Sequence, residues 1–235
     1  MFAKLRQTLE EQGIDSFHIL EDLVPIEEQM EYFRYFERLR SENLPFTRDE
    51  EVALLFSPDA SVSRKKRSLT LLASIPDVGA YRSIETYHSS PLEPELTHWS
   101  SMALVSSRIV LSSDLSGQQQ VYISSGLGGQ DKKLRFFSLL TTVDRSPLTD
   151  LQKEIVEREF TFQLEKSDVI IEKFEIKDNY FTIQMLFSFD TNAKTCLNDA
   201  VRECNQYGNF LDSRFLFTNV KVLSEKEIEI LLQKK

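Results

Sequence analysis

The hydrophobic rhythm of this chain changes once, near residues 121–143, and that change limits the folds open to it. Ahead of it, apolar residues recur every three to four positions, the beat of amphipathic helices. Behind it, two-residue alternation becomes common, the beat of strands. Gly126, Gly128 and Gly129 sit at the change, and four of the seven glycines lie between positions 117 and 129. Backbone freedom is therefore concentrated at this point. The run 134–143 that follows is apolar at Phe136, Phe137, Leu139 and Leu140, the pattern of a strand covered on both faces.

The front half reads as helices. Phe2, Leu5 and Leu9 share one face, and Gly13 can end that helix. Asp15 can cap a second helix carrying Phe17, Leu20 and Val24 as far as Pro25. A third stripe runs through Ile26, Met30, Phe33, Tyr35, Phe36 and Leu39. Thr47 with Glu50 has the spacing of a capping box before Val52, Leu54 and Leu55. Ser63 precedes a helix with Leu69, Leu71, Leu72 and Ile75. Pro76 and Asp77 break that helix and restart another bearing Val78, Tyr81, Ile84 and Tyr87. Pro91 and Pro94 frame a turn into a helix with Leu96, Trp99, Met102, Ala103 and Ile109.

The runs Leu-Leu-Ala-Ser-Ile-Pro-Asp-Val-Gly-Ala-Tyr-Arg-Ser-Ile-Glu at 71–85 and Pro-Glu-Leu-Thr-His-Trp-Ser-Ser-Met-Ala-Leu at 94–104 resemble HEAT-type helical repeats. The Pro-Asp turn, the Trp and the Met-Ala-Leu positions carry that resemblance. It spans one repeat and a half, short of the three that make an extended array. It implies stacked antiparallel helix pairs and a protein-binding surface. The whole chain also resembles small uncharacterised bacterial proteins that join such a helical front to an α+β tail, a resemblance that supplies no activity.

The back half reads as strand, helix, strand, strand, helix, strand. The first strand is 134–143. Ser146 and Pro147 signal a helix carrying Leu148, Leu151, Ile155, Val156, Phe160 and Phe162. Strand 169–176 follows, then the polar turn Lys177, Asp178 and Asn179. Strand 180–189 alternates strictly, with Phe181, Ile183, Met185, Phe187 and Phe189 on one face. Thr191 or Asn192 can cap a helix bearing Leu197, Ala200, Val201, Cys204 and Tyr207, ended by Gly208. A strand at 215–222 has a slip of phase between Phe217 and Val220 that suits a bulge. Ser224 with Glu227 caps a last short helix through Ile228 and Leu231. Hairpin turns and right-handed crossovers fold this order into a ferredoxin-like βαββαβ sandwich. The expected fold class is thus α+β: a HEAT-like helical domain at 1–116, a glycine-rich connector at 117–133 and the ferredoxin-like domain at 134–235. Residues 118–125 could add an edge strand before the sandwich.

Charge narrows the partners. Residues 1–60 carry 14 acidic and 6 basic side chains, a net of −8, out of −9 for the whole chain. An acidic front disfavours phosphate backbones as partners, because affinity for them comes mostly from Lys and Arg. No stretch is apolar enough to predict a membrane span, and the N-terminus lacks an apolar signal core. Two cysteines, Cys196 and Cys204, lie about 12 Å apart along one predicted helix, too far to bridge within it. They read as core thiols in a reducing, cytoplasmic protein.

Candidate chemistry is sparse. Gly126, Gly128 and Gly129, with Lys132, Lys133 and Arg135, invite an anion-binding reading of the loop 126–135. The glycines lead into a strand, however, whereas a phosphate loop leads into a helix N-terminus. Arg64, Lys65, Lys66 and Arg67 form the one dense basic cluster. It stands at a helix start, against the dipole preference, so a partner contact is an alternative to a solvated face. His18, His88 and His98 include no i, i+4 pair for a metal, although His88 and His98 flank one turn and could approach each other. Exposed sheet aromatics such as Phe136 could stack bases, but the aromatic-basic strand motif of single-strand RNA binders is missing.

The reading that follows is a non-catalytic adaptor without cofactor, metal or catalytic residues. Its helical half docks a protein partner. Its α+β half binds a second partner or self-associates, with nucleic acid disfavoured and no membrane. The alternatives are a small-anion-binding regulator or enzyme using 126–135, and an RNA- or ribosome-associated factor.

Overall fold

Polar caps and apolar stripes set the elements of the computed structural model, which describes residues 17–42, 45–118 and 120–233. It is an α+β protein whose described residues fall into two units, one within Gln12–Ser124 and the other from Ser125 onward.

The first unit opens with strand β1 (Phe17–Ile19) and continues through α1 (Ile26–Glu42), α2 (Arg48–Phe56), α3 (Val62–Ala73) and α4 (Val78–Ser89). A 3₁₀ turn (Pro94–Leu96) leads into α5 (Thr97–Ser116), and strand β2 (Val121–Ile123) closes the unit. Ser61 caps α3 by accepting from the Arg64 N–H at 3.3 Å, and Asp77 caps α4 by accepting from the Ala80 N–H at 2.7 Å. Each supplies an acceptor to a helix end that has none of its own. The expected box at Thr47 does not form, for that side chain makes no capping hydrogen bond. The core gathers Leu20, Val24, Tyr32, Leu55, Leu69, Leu72, Ile84, Tyr87, Trp99 and Met102. Trp99 is its hub. Its indole N–H donates to the Lys66 carbonyl at 3.1 Å and to Thr70 Oγ1 at 3.2 Å, and Tyr32 and Tyr35 meet its ring edge-on.

The front is not purely helical. The segment with Phe17 and Leu20, expected as a helix capped by Asp15, is instead β1, and it pairs in parallel with β2. Leu20 N–H then donates to the Ile123 carbonyl at 3.1 Å. The partner lies a hundred residues on in the chain, so local periodicity carries no trace of it. Within the proposed edge strand at 118–125, residues Val121–Ile123 form β2, which pairs with β1 and not with the back sheet. The expected helix with Phe2, Leu5 and Leu9 lies outside the described residues.

The second unit comprises β3 (Gly129–Gln130), β4 (Lys133–Thr141), α6 (Asp150–Lys166), β5 (Ile170–Ile176), β6 (Tyr180–Phe187), α7 (Ala193–Asn205), β7 (Leu216–Thr218) and α8 (Glu225–Gln233). The sheet is antiparallel and runs β7–β4–β6–β5, with β3 beside β7 on the same side of β4. In β6, Phe181, Ile183, Met185 and Phe187 alternate on one face and are all buried. The register sets Phe136 of β4 opposite Met185, and Leu140 opposite Phe181. Helices α6 and α7 serve this face, with the Phe160 ring against Phe174 and Phe181. On the other face Phe137 and Leu139 pack with Leu127, Leu216 and Ile228. Strand β4 is thus covered on both sides, as its continuous apolar run implies.

Boundaries moved where side-chain chemistry decided them. Helix α6 starts at a reciprocal box between Thr149 and Gln152, not at Ser146 and Pro147. Thr149→Ala should lower the stability of this unit by about 1 kcal/mol, while Thr149→Ser keeps it, as thermal denaturation followed by circular dichroism would show. Strand β7 is only three residues long, because the chain turns away after Thr218. The irregularity of the sheet falls in β5, between Ile171 and Lys173, and not near Phe217.

Candidate functional site

A cavity of about 340 Å³ opens in the second unit where β4, the β6–α7 turn and β7 meet. That lies at the low end of the range for small-molecule sites. Its floor is aromatic. Phe136 and Phe217 stack with centroids 4.5 Å apart and planes 4° from parallel, and Phe187 meets both edge-on. The register explains the stack: Phe217 pairs with Ser138, and Phe136 lies two residues along β4 on the same face. Phe189, two residues beyond the end of β6, also lines the cavity.

The rim is polar and comes from two elements. One is the start of α7, where Thr191, Asn192, Ala193 and Lys194 line the wall with Asp190 just before them. Asn192 caps the helix, its Oδ1 accepting from the Thr195 N–H at 3.2 Å. The other element is the end of β7, with Thr218 and Asn219. Asp190 has an interaction of its own, and two more of these groups are committed internally. Thr191 Oγ1 bonds Ser188 Oγ at 2.8 Å, and Thr218 Oγ1 accepts from the Val220 N–H at 3.1 Å. Three are not. Among the described residues the Lys194 ammonium, the Asn192 amide nitrogen and the Asn219 side chain make no hydrogen bond or ion pair. A cation and two amides thus surround stacked rings, at the helix end whose N–H groups favour negative charge.

The loop expected to bind an anion is adjacent but built differently. Asp131 and Lys132, with φ of 49° and 62°, form the two-residue turn between β3 and β4. Gly128, with φ of 65°, turns the chain just ahead of that hairpin. Lys133 donates to the Asp168 carbonyl at 2.7 Å and to its carboxylate at 2.9 Å. Arg135 forms a two-pronged pair with Glu172 and donates to the Leu127 carbonyl at 2.8 Å. Gly126 lies hard against the backbone of Val220. Two of the loop's three cations are therefore held by carboxylates, and its glycines close a turn and a backbone contact.

The basic cluster of α3 also turns inward. Arg64 reaches Glu51 at 3.0 Å, and Ser68 donates to the same buried carboxylate at 2.6 Å. Lys65 is completely buried against Glu93, whose other oxygen accepts from the Tyr87 hydroxyl at 2.5 Å. Burial, and then the Glu93 carboxylate, push the Tyr87 phenol well above its usual range. Partial burial raises the Glu93 carboxyl, but its bonds from Lys65 and Tyr87 outweigh that and hold it below the ordinary glutamate value. Lys66 lies 4.2 Å over the Trp99 ring and 3.3 Å from Glu31. Arg67 keeps its Nε buried and without a hydrogen bond. A charged run read as a surface is thus largely the joint between helices.

The histidines part company. His88 lies between Ser100 and Asp22, while His98 pairs with Glu28 at 2.9 Å. Among the described residues no group of three His, Cys, Asp or Glu could hold a metal ion. Cys204 is buried, and burial pushes its thiol up to about 12, so it is no nucleophile at neutral pH. No helix among the described residues is long and apolar enough to cross a membrane.

No protein-family model matches the chain, and no curated protein matches it. Among solved structures it is similar to the REP-associated tyrosine transposase bound to a REP hairpin, at 11% identity and a TM-score of 0.34. That match covers 43% of this chain and 62% of the transposase. A Deinococcus radiodurans protein assigned as a transposase matches at 12% identity and a TM-score of 0.35, covering 43% of this chain and 87% of that one. Two expectations are corrected here. The adaptor that docks proteins without catalysis, and the disfavouring of nucleic acid, stand against these two structures, which are described as transposases, one of them bound to a REP hairpin. At these scores the likeness transfers no residue or activity, so function is read from the cavity.

Proposed function

We propose that the second unit binds an unpaired nucleotide, either free or within single-stranded DNA, in the cavity between β7 and the start of α7. One observation carries this: a stacked aromatic floor bordered by an uncommitted ammonium and two uncommitted amides. An aromatic floor suits a planar base, since every base offers a π-face. Lys194 and the first N–H groups of α7 suit a phosphate. The strand order β7–β4–β6–β5, with α6 and α7 on one face, supports a ferredoxin-like reading of this unit. The paired helices of the first unit support a HEAT-like one.

Anisotropy titration of short fluorescein-labelled DNA strands, with mononucleotides as competitors, tests the reading. Wild type should bind saturably, and Lys194→Ala should weaken binding roughly 10–150-fold, the value of one charge-assisted hydrogen bond of about 1.5–3 kcal/mol. With one phosphate contacted, the salt slope should be shallow, near −0.7. Competition by a mononucleotide at concentrations near those of the strand identifies the free nucleotide as the ligand. Absence of saturable binding to strand and mononucleotide up to about millimolar concentration overturns the proposal.

A further inference from the structure

The three uncommitted groups of the rim are not equivalent. Lys194 is exposed and only donates, so it serves a phosphate but cannot read a base. Asn192 lends its oxygen to the cap of α7, which fixes the orientation of its amide and leaves its nitrogen as the group without a partner. Asn219 is half-buried, and its side chain retains both a donor and an acceptor. An amide with both functions free can bond a base edge in two places, which is how Asn distinguishes adenine from the other bases in duplex DNA.

The backbone of Asn219 is fixed by the glycine loop. The Leu127 N–H donates to the Asn219 carbonyl at 3.1 Å. A Cβ built on Gly126 would fall 1.8 Å from the carbonyl oxygen of Val220 and 2.8 Å from its carbonyl carbon. No side chain fits there without moving residues 219 and 220, because the obstacle is backbone. Gly126 has no positive φ, so the close approach, and not conformational freedom, is what requires a glycine.

Building on the nucleotide-binding reading above, we infer that Asn219 determines which base the cavity prefers, and that Gly126 is the positioning residue that sets it. The loop 126–135 thus contributes to the site through the strand it braces.

Labelled strands of dA, dC or dT, titrated against wild type, Asn219→Ala, Gly126→Ala, Lys194→Ala and the Gly126–Asn219 double variant, test this. Wild type should prefer one base about tenfold, the value of one two-point contact. Asn219→Ala should erase most of that preference while leaving the weakest strand nearly unchanged. Lys194→Ala should weaken all three alike and keep the preference. Gly126→Ala should mimic Asn219→Ala and add nothing in its absence, since two residues acting through one contact are not additive. Equal weakening of all strands by Asn219→Ala, or a wild type without base preference, overturns this inference and leaves the nucleotide reading standing. Absence of any binding by wild type overturns both. If Gly126→Ala fails to fold, Asn219→Ala alone decides the assignment of specificity.

Discussion

Replacing Glu93 by alanine is expected to destabilise the helical unit by about 3 kcal/mol, because it strands a charge in the interior. Lys65 is completely buried and Glu93 is its partner, with the carboxylate still a fifth exposed. That exposure sets the expectation at the low end for a broken buried pair. Tyr87 loses its acceptor in the same step. The double variant Lys65→Met with Glu93→Gln should be far milder than Glu93→Ala, because a buried ion pair exchanged for neutral groups of like volume costs little. The Glu93 carboxyl titrates below its ordinary value when folded, so its contribution is complete above about pH 4.5 and is lost as pH falls through the folded value. Acidification should therefore weaken wild type more than Glu93→Gln in that window. The chain's single tryptophan, Trp99, lies in this unit, so its fluorescence during urea unfolding reports the effect.

The second large effect is expected at Phe160. Its side chain is fully buried, with ring centroids 5.0 Å from Phe181 and 6.3 Å from Phe174. Phe160→Ala should cost about 3–5 kcal/mol, the transfer of the ring plus the cavity it leaves. Phe162, two residues on along the same helix, is 58% exposed, and Phe162→Ala should change stability by no more than about 0.5 kcal/mol. Chemical denaturation followed by circular dichroism separates the two. Comparable losses from both would mean that α6 presents a different face to the sheet.

That pair of phenylalanines also marks the limits of reading the chain by pattern. Phe160 and Phe162 cannot share a helical face, and the sequence names both on this helix together with Leu151, which is 67% exposed. Composition could not say which of them the sheet would cover. Strand β6 was legible because alternation over 180–187 admits one reading, whereas β1 was not, because its partner lies a hundred residues away. The cap at Ser224 was legible from residue type and spacing, and Asn192 was one of two candidates for its helix, since the chemistry is local. Of the site, Phe136 was named as an exposed sheet aromatic, but its side chain is buried beneath Phe217 and only 5% exposed. Lys194 and Asn219 were not named, for nothing local connects a helix start to a strand end that lies 25 residues further along. The glycine cluster drew notice as a tight connector or an anion loop. Gly126 is there to meet Val220, and that contact lies outside any sequence motif.

The central claim is that the cavity bordered by Phe217, stacked on the buried Phe136, and by Lys194 and Asn219 receives a base and its phosphate. The most direct measurement is an amide chemical-shift titration of labelled protein with a short single strand of DNA. Shifts should concentrate at residues 190–195 and 217–220, saturate with the anisotropy curve, and diminish in Lys194→Ala. Saturable shifts confined to other residues, or none at all, would contradict it.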